Sequence, residues 1–192
     1  DGVVMNGTTV EHIREAAAVM GQYCDILGFR SFPKLQNREE DYSESLFNKF
    51  VKFSGVPVIS LESATLHPLQ SFADLITIEE NKKTVRPKVV LTWAPHVKSL
   101  PQAVPNSFSE WMCRAQAEGM IDFVITHPQG LELADKFTPG AIIEYNQDTA
   151  LQGADFVYAK NWSSYHDYGK TVQGAESWMI THKKLEQTNE AK

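Results

Sequence analysis

"KVVLTWAPHVKSLPQAVPNSFSEWMCRAQAEGMIDFVIT", residues 88–126, decides the fold. Its two ends, "KVVLTW" (88–93) and "DFVIT" (122–126), are short and almost continuously apolar, as strands buried on both faces must be. Between them "NSFSEWMCRAQAEG" (106–119) repeats Phe108, Trp111, Met112 and Ala115 near helical spacing. Asn106 is the expected cap of that helix and Gly119 its stop. Strand, helix and strand in this order predict a βαβ unit, and hence a parallel sheet.

The same alternation extends outward. "CDILGFR" (24–30), "VPVIS" (56–60), "AIIEY" (141–145) and "DFVYA" (155–159) read as further strands. "TVEHIREAAAVMGQY" reads as a helix capped near Thr9, with Val10, Ile13, Ala17 and Met20 on one side and Gly21 at its end. "DYSESLFNKFVKFSG" places Leu46, Phe47, Phe50 and Phe53 on one helical face and ends at Gly55. The expectation is an α/β fold with mainly parallel sheets, divided at the polar stretch "EENKKTVRPK" (79–88) into residues 1–80 and 81–192.

Composition narrows the function. A net charge of −6 with scattered Lys and Arg offers no basic stripe for nucleic acid or an anionic membrane. No apolar run approaches the ~18 residues of a membrane span, and no signal-peptide pattern opens the chain, so the cytoplasm is expected. Cys24 and Cys113 are far apart and unpaired by any CxxC spacing, so both are expected to be buried, reduced thiols. No G-x-G-x-x-G follows a strand, no G-x-S-x-G elbow occurs, and His67, His96 and His127 lie on separate segments. Nucleotide-dependent redox chemistry, serine hydrolysis and metal catalysis therefore have little support.

Ligands of open α/β sheets gather beyond the carboxyl ends of the strands. There the chain carries Arg30 after the first of the long strands, Glu62 and His67 after the second, and Lys160-Asn161 after the last. "ESATLHPLQSFADL" (62–75) adds a helix start: Pro68 suits the first helical position, and Leu69, Phe72, Ala73 and Ile76 make its expected buried stripe. Free backbone N–H groups at such a start favour an anionic or strongly polar ligand, and Gln70 offers a donor and an acceptor in the first turn. Bland readings stand beside these. His67 could be a cap or a satisfied interdomain histidine, and Gln70 a solvated helix residue. Arg30 could be an ion-pair partner of Glu39, Glu40 or Asp41, and Glu62 a partner of Lys160.

Together these motifs resemble the transcarbamylases that act on ornithine and its N-acylated derivatives. "HPLQSFADL" is similar to the family's His-Pro-x-Gln helix start and "DILGFRSF" to its arginine-bearing strand. "TWAPHVKSLPQAVPNSF" and "GADFVYAKNW" resemble more narrowly the acylornithine branch. The resemblance implies two doubly wound domains, with 1–80 part of a carbamoyl phosphate-binding domain and 81–192 part of an acylornithine-binding domain. It implies that Arg30 and His67 polarise the carbamoyl carbonyl, that Gln70 holds the carbamoyl amino group, and that Glu62, Asn106 and Lys160 orient the acylornithine. It also implies a homotrimer in arginine biosynthesis that needs no metal or organic cofactor.

The family's Ser-x-Arg-Thr-Arg phosphate motif and its His-Cys-Leu-Pro motif are not among these 192 residues, so the sequence is expected to be incomplete at both ends and to turn over little by itself. Acetyl-preferring members carry Glu, and succinyl-preferring members Pro, at the position aligned with Val10. Valine brings no charge to repel a second carboxylate, so N-succinylornithine is the expected substrate. N-acetylornithine, ornithine, and a non-catalytic binding module of the same fold are the alternatives.

Overall fold

The computed structural model describes the backbone of residues 2–5 and 9–191, and side chains from Ile13 to Ala191. β1 (Gly2–Met5) and β2 (Thr9–His12) form an antiparallel pair, and α1 (Ile13–Gly21) follows directly. The helix expected from Thr9 thus starts four residues later, because β-branched Thr9 and Val10 take extended backbone in a hairpin partner strand. Gly21 ends α1 as expected. A Cβ there would lie 1.8 Å from the carbonyl oxygen of Ser54, so only glycine lets the chain pass.

β3 (Leu27–Arg30) and β4 (Val58–Glu62) pair in parallel, and α2 (Arg38–Tyr42) and α3 (Ser45–Ser54) lie between them in sequence. Ala17 of α1 and Phe50 of α3 close one face of this pair over Leu27 and Phe29. The single helix expected from Asp41 to Gly55 is broken, because Glu44 takes a left-handed backbone (φ 51°). Leu46, expected on the buried face, is exposed, whereas Phe50 is buried. Cys113 is buried as expected, but Cys24, in the turn after α1, is exposed.

α4 (Pro68–Asn81) leads toward the larger sheet. Its expected buried stripe is wrong: Leu69, Phe72 and Ile76 are 47%, 46% and 42% exposed, and Ala73 is exposed with them. The helix turns Ser71 and Ile78 inward instead, packing on α5 (Ala103–Ala117). The apolar face expected inside joins Ile59 and Leu61 of β4 among the exposed residues.

β5 (Lys88–Trp93), β6 (Asp122–Thr126), β7 (Ile142–Glu144) and β8 (Phe156–Lys160) form a four-stranded sheet in the order β7-β6-β5-β8. Every pairing in it is parallel. Val89, Leu91, Phe123 and Ile125 point to the face covered by Phe108 and Met112 of α5. Val90 and Val124 point to the other face, against Ala150 and Leu151 of α6 (Gln147–Leu151). This alternation, with helices on both faces, is the doubly wound arrangement that buries β5 almost completely. α7 (His182–Leu185) is the last helix of the described chain. Successive strands run outward from β5 to β7 and then return to β5's other side, so the crevice between β5 and β8 is the topological switch point.

Candidate functional site

The site begins where β3 and β4 end. Arg30 is paired in register with Glu62 across an irregularity that follows Phe29. Its Nε and Nη2 both donate to Glu62 Oε2, at 3.0 and 2.6 Å, while the guanidinium lies 4.7 Å from the Phe32 ring centroid. His67 Nε2 stands 3.9 Å from the same Glu62 oxygen. Arginine, carboxylate and imidazole therefore meet at one atom. Glu39, Glu40 and Asp41 are not the partners of Arg30, and Lys160 is not the partner of Glu62: Glu40 pairs with Lys34, and Asp41 accepts the backbone N–H groups of Lys34 and Leu35.

The loop that carries Glu62 into His67 is held from below. Glu44 Oε1 accepts from the backbone N–H and hydroxyl of Thr65 and from the Ser63 hydroxyl, at 2.7–2.8 Å, and its Oε2 accepts from Ala64 N–H at 3.3 Å. The left-handed turn at Glu44 is what aims its carboxylate at this loop. His67 then precedes α4, with Pro68 in the first helical position as expected, but its side chain makes no capping bond. Its backbone N–H donates to Ser107 Oγ at 2.8 Å, and its Nδ1 is buried without a hydrogen-bond partner among the described residues.

Asn106 is not the cap of its helix. α5 starts three residues earlier, and Asn106 is fully buried one residue before Ser107, donating from Nδ2 to the Thr65 carbonyl at 3.1 Å. Three apolar or proline residues, Ala103, Val104 and Pro105, extend the first turn, which places Asn106 on the face toward the 63–67 loop. Its Oδ1 has no partner among the described residues. Gln70, in the first turn of α4, donates from Nε2 to the Tyr158 hydroxyl at 2.5 Å. Lys160 ends β8 opposite Trp93, at the switch point, and its ammonium makes no hydrogen bond or ion pair among the described residues. Tyr158 and Lys160 share one face of β8, since side chains two apart on a strand point the same way.

Arg30, Glu62, His67 and Asn106 are thus brought together around the 62–67 loop, and Gln70 is joined to the strand that carries Lys160. No contact ties Lys160 to Arg30 or Glu62. Val10 lies in β2 opposite Val4, and its side chain is outside those described.

Sequence reasoning missed the residues that join the two halves. The Tyr42 hydroxyl donates to Gln102 Oε1, Gln102 Nε2 donates to the Ser163 carbonyl at 2.8 Å, and burial pushes the Tyr42 hydroxyl up to about 12. Arg38 donates to the Tyr165 carbonyl at 2.7 Å, and Tyr168 donates to Asp41 at 3.1 Å. Each lies in a segment that reads as an ordinary polar helix or loop. A cavity of about 620 Å³ opens beside the end of β3, lined by Phe29, Ser31, Phe32, Lys34, Glu44 and Phe47. It is large enough for a small polar substrate.

This geometry has close counterparts. Residues 2–80 match the family profile "Aspartate/ornithine carbamoyltransferase, carbamoyl-P binding domain". Over 192 residues the chain is 55% identical to an N-succinylornithine carbamoyltransferase of Bacteroides thetaiotaomicron, covering 99% of this chain and 59% of that protein. It is 35% identical to an N-acetylornithine carbamoyltransferase of Xanthomonas campestris, covering 88% of this chain and 52% of that one. A crystal structure of a glutamate-to-valine variant of N-acetyl-L-ornithine transcarbamylase, complexed with carbamyl phosphate and N-succinyl-L-norvaline, superposes with a TM-score of 0.83 at 32% identity. That match covers 99% of this chain and 62% of the other. The chain therefore spans about six-tenths of the length of its relatives. In sequence, in fold and in its arginine-bearing strand and His-Pro-x-Gln helix start, the chain is similar to the aspartate/ornithine carbamoyltransferases, and residues 2–80 match the carbamoyl-P binding domain of that family.

Proposed function

We propose that the full-length protein transfers the carbamoyl group of carbamoyl phosphate to the side-chain amine of N-succinylornithine, releasing N-succinylcitrulline and phosphate. The observation that carries this reading is the meeting of Arg30 and His67 at Glu62 Oε2, at the carboxyl ends of two adjacent parallel strands.

Glu62 fixes the Arg30 plane through Nε and Nη2, which leaves Nη1 for the carbonyl oxygen of the carbamoyl group. Arg30 and the His67 ring stabilise negative charge on that oxygen as the neutral amine attacks the carbonyl carbon. The new carbon–nitrogen bond forms, the carbon–oxygen bond to phosphate breaks, and the proton lost by the amine nitrogen passes to the departing phosphate. Gln70 holds the carbamoyl amino group. Glu62, Asn106 and Lys160 orient the acylornithine, with residues 1–80 serving carbamoyl phosphate and 81–192 the amine. Joining both substrates in one crevice supplies proximity, worth ~7–11 kcal/mol in favourable cases.

The succinyl preference is supported by the 55% identity to a protein of that name, and by a relative whose glutamate-to-valine variant is complexed with N-succinyl-L-norvaline. Val10 is the matching residue in this reading, and uncharged valine leaves room for a second carboxylate. The same reading carries a homotrimer in the cytoplasm, which sedimentation and fractionation of the full-length product would check.

The deciding experiment measures phosphate release from carbamoyl phosphate by the full-length gene product with ornithine, N-acetylornithine and N-succinylornithine side by side. Release that depends on N-succinylornithine is expected. Turnover of ornithine alone would sink the acylornithine assignment, and a preference for N-acetylornithine would sink the role of Val10.

A further inference from the structure

The loop from Glu62 to His67 carries a site residue at each end and is buried between them. Ser63, Ala64 and Thr65 are 4%, 7% and 5% exposed, so their donors need partners within the protein. The Ser63 N–H finds one inside the loop, the Leu66 carbonyl at 2.8 Å. Ala64 and Thr65 donate their N–H groups to Glu44, at 3.3 and 2.8 Å. Leu66 reaches Glu44 in two steps: its N–H donates at 3.2 Å to Ser63 Oγ, whose proton goes to Glu44 Oε1 at 2.7 Å rather than to the Leu66 carbonyl at 3.4 Å. His67 comes next, and its N–H is held from the other half of the chain by Ser107 Oγ at 2.8 Å. The imidazole therefore sits on backbone that is fixed on both sides.

Glu44 adopts a costly conformation to do this. Its φ of 51° is left-handed, which glycine takes freely and any L-residue only with strain. A strained residue persists where its surroundings over-determine it, and here four donors of the loop end on its carboxylate. Glycine would suit the turn better and could hold none of them.

We infer that Glu44 is a positioning residue for carbamoyl transfer: its carboxylate fixes the 63–66 loop so that His67 Nε2 stays at the Glu62 oxygen that Arg30 also meets. This rests on the reading of His67 as a group that stabilises the carbamoyl oxygen. Glu44 acts through the loop as a hydrogen-bond acceptor, so its oxygens and their reach matter and its charge does not.

The test uses the full-length gene product and steady-state kinetics with saturating N-succinylornithine. Glu44→Ala is expected to lower kcat about tenfold and to leave the KM for carbamoyl phosphate within about twofold, since the interaction it disturbs strengthens only in the transition state. Glu44→Gly, which favours the turn, is expected to show the same split and serves if the alanine variant folds poorly. Glu44→Gln keeps an oxygen for Ser63 and Thr65 without the charge, and is expected to stay within about threefold of wild type. Glu44→Asp keeps the charge but draws it back by one methylene, and is expected to fall nearly as far as Glu44→Ala. In a His67→Ala background, Glu44→Ala is expected to lower kcat by no more than about twofold further. Wild-type kcat in both the alanine and glycine variants, an equal loss with and without His67, or recovery by Asp and not by Gln would overturn the role of Glu44 alone. A wild-type rate in His67→Ala itself would overturn the reading of His67, and the positioning role with it.

Discussion

Thr65 donates twice to one oxygen of Glu44, from its backbone N–H at 2.8 Å and its hydroxyl at 2.7 Å. Ser63 and Ala64 add two more bonds to the same carboxylate, so the loop between Glu62 and His67 is shaped by a residue in the turn between α2 and α3. Glu44→Ala would leave these donors without their acceptor. A loss of about 2 kcal/mol in stability is expected, because bonds to a charged group exceed neutral ones and four donors share the cost. Denaturant unfolding of the variant beside wild type measures it. An unchanged midpoint would mean that solvent replaces the carboxylate at no cost.

Arg30→Ala and His67→Ala are each expected to lower carbamoyl transfer by at least about tenfold in the full-length protein, a loss of ~1.4 kcal/mol in transition-state binding. Arg30→Lys is expected to fall nearly as far, since a lysine cannot bond Glu62 through two nitrogens and still offer a third to the substrate. Steady-state kinetics with saturating amine checks all three. Wild-type rates would return the pair to an ion-pair role.

The convergence of Arg30, Glu62 and His67 was legible because the rule that ligands gather beyond strand ends needs only the strands, and these are nearly continuous apolar runs. The start of α4 was legible for a similar reason, since Pro68 fits one helical position and few others. Its buried face was not. Leu69, Phe72 and Ile76 form the better apolar stripe, yet the helix packs through Ser71 and Ile78. Periodicity reports which residues share a face and does not report which face meets the rest of the chain. Glu44 was unreadable in another way: its left-handed backbone is sustained by donors from residues 63–65, a contact that no local pattern in "DYSESLFNKF" encodes. Asn106 looked like a cap because asparagine favours caps, whereas its burial against Thr65 is a tertiary fact.

Gly21→Ala tests the closest passage in the smaller unit. The added methyl would meet the Ser54 carbonyl oxygen at 1.8 Å, and the backbone of α1 or α3 must shift to relieve it. Overpacking of this kind costs about 1–3 kcal/mol. A lower unfolding midpoint is expected. Gly119→Ala, where a Cβ meets open space at φ +72°, is expected to lose only the smaller cost of a left-handed alanine. Equal losses at both positions would remove the steric argument.

Asp74 gives stability a pH dependence of definite sign. Burial raises its carboxyl from 3.8 to about 6 in the folded chain. As pH falls through that range, the folded chain takes up a proton that the unfolded chain does not yet hold, so protonation favours the fold. The contribution of Asp74 is therefore fully present below about pH 4 and is lost as pH rises through 6. Above that, a half-buried charge opposes folding. Asp74→Asn keeps the shape and never carries the charge. The variant is expected to melt at a higher temperature than wild type at pH 7.5, with the gap closing as pH drops through 6 and absent near 4. Melting curves of both proteins across that range measure it. A gap that does not change with pH would assign the effect to packing, and a gap of opposite sign would mean that the ionised carboxylate is held by a favourable partner.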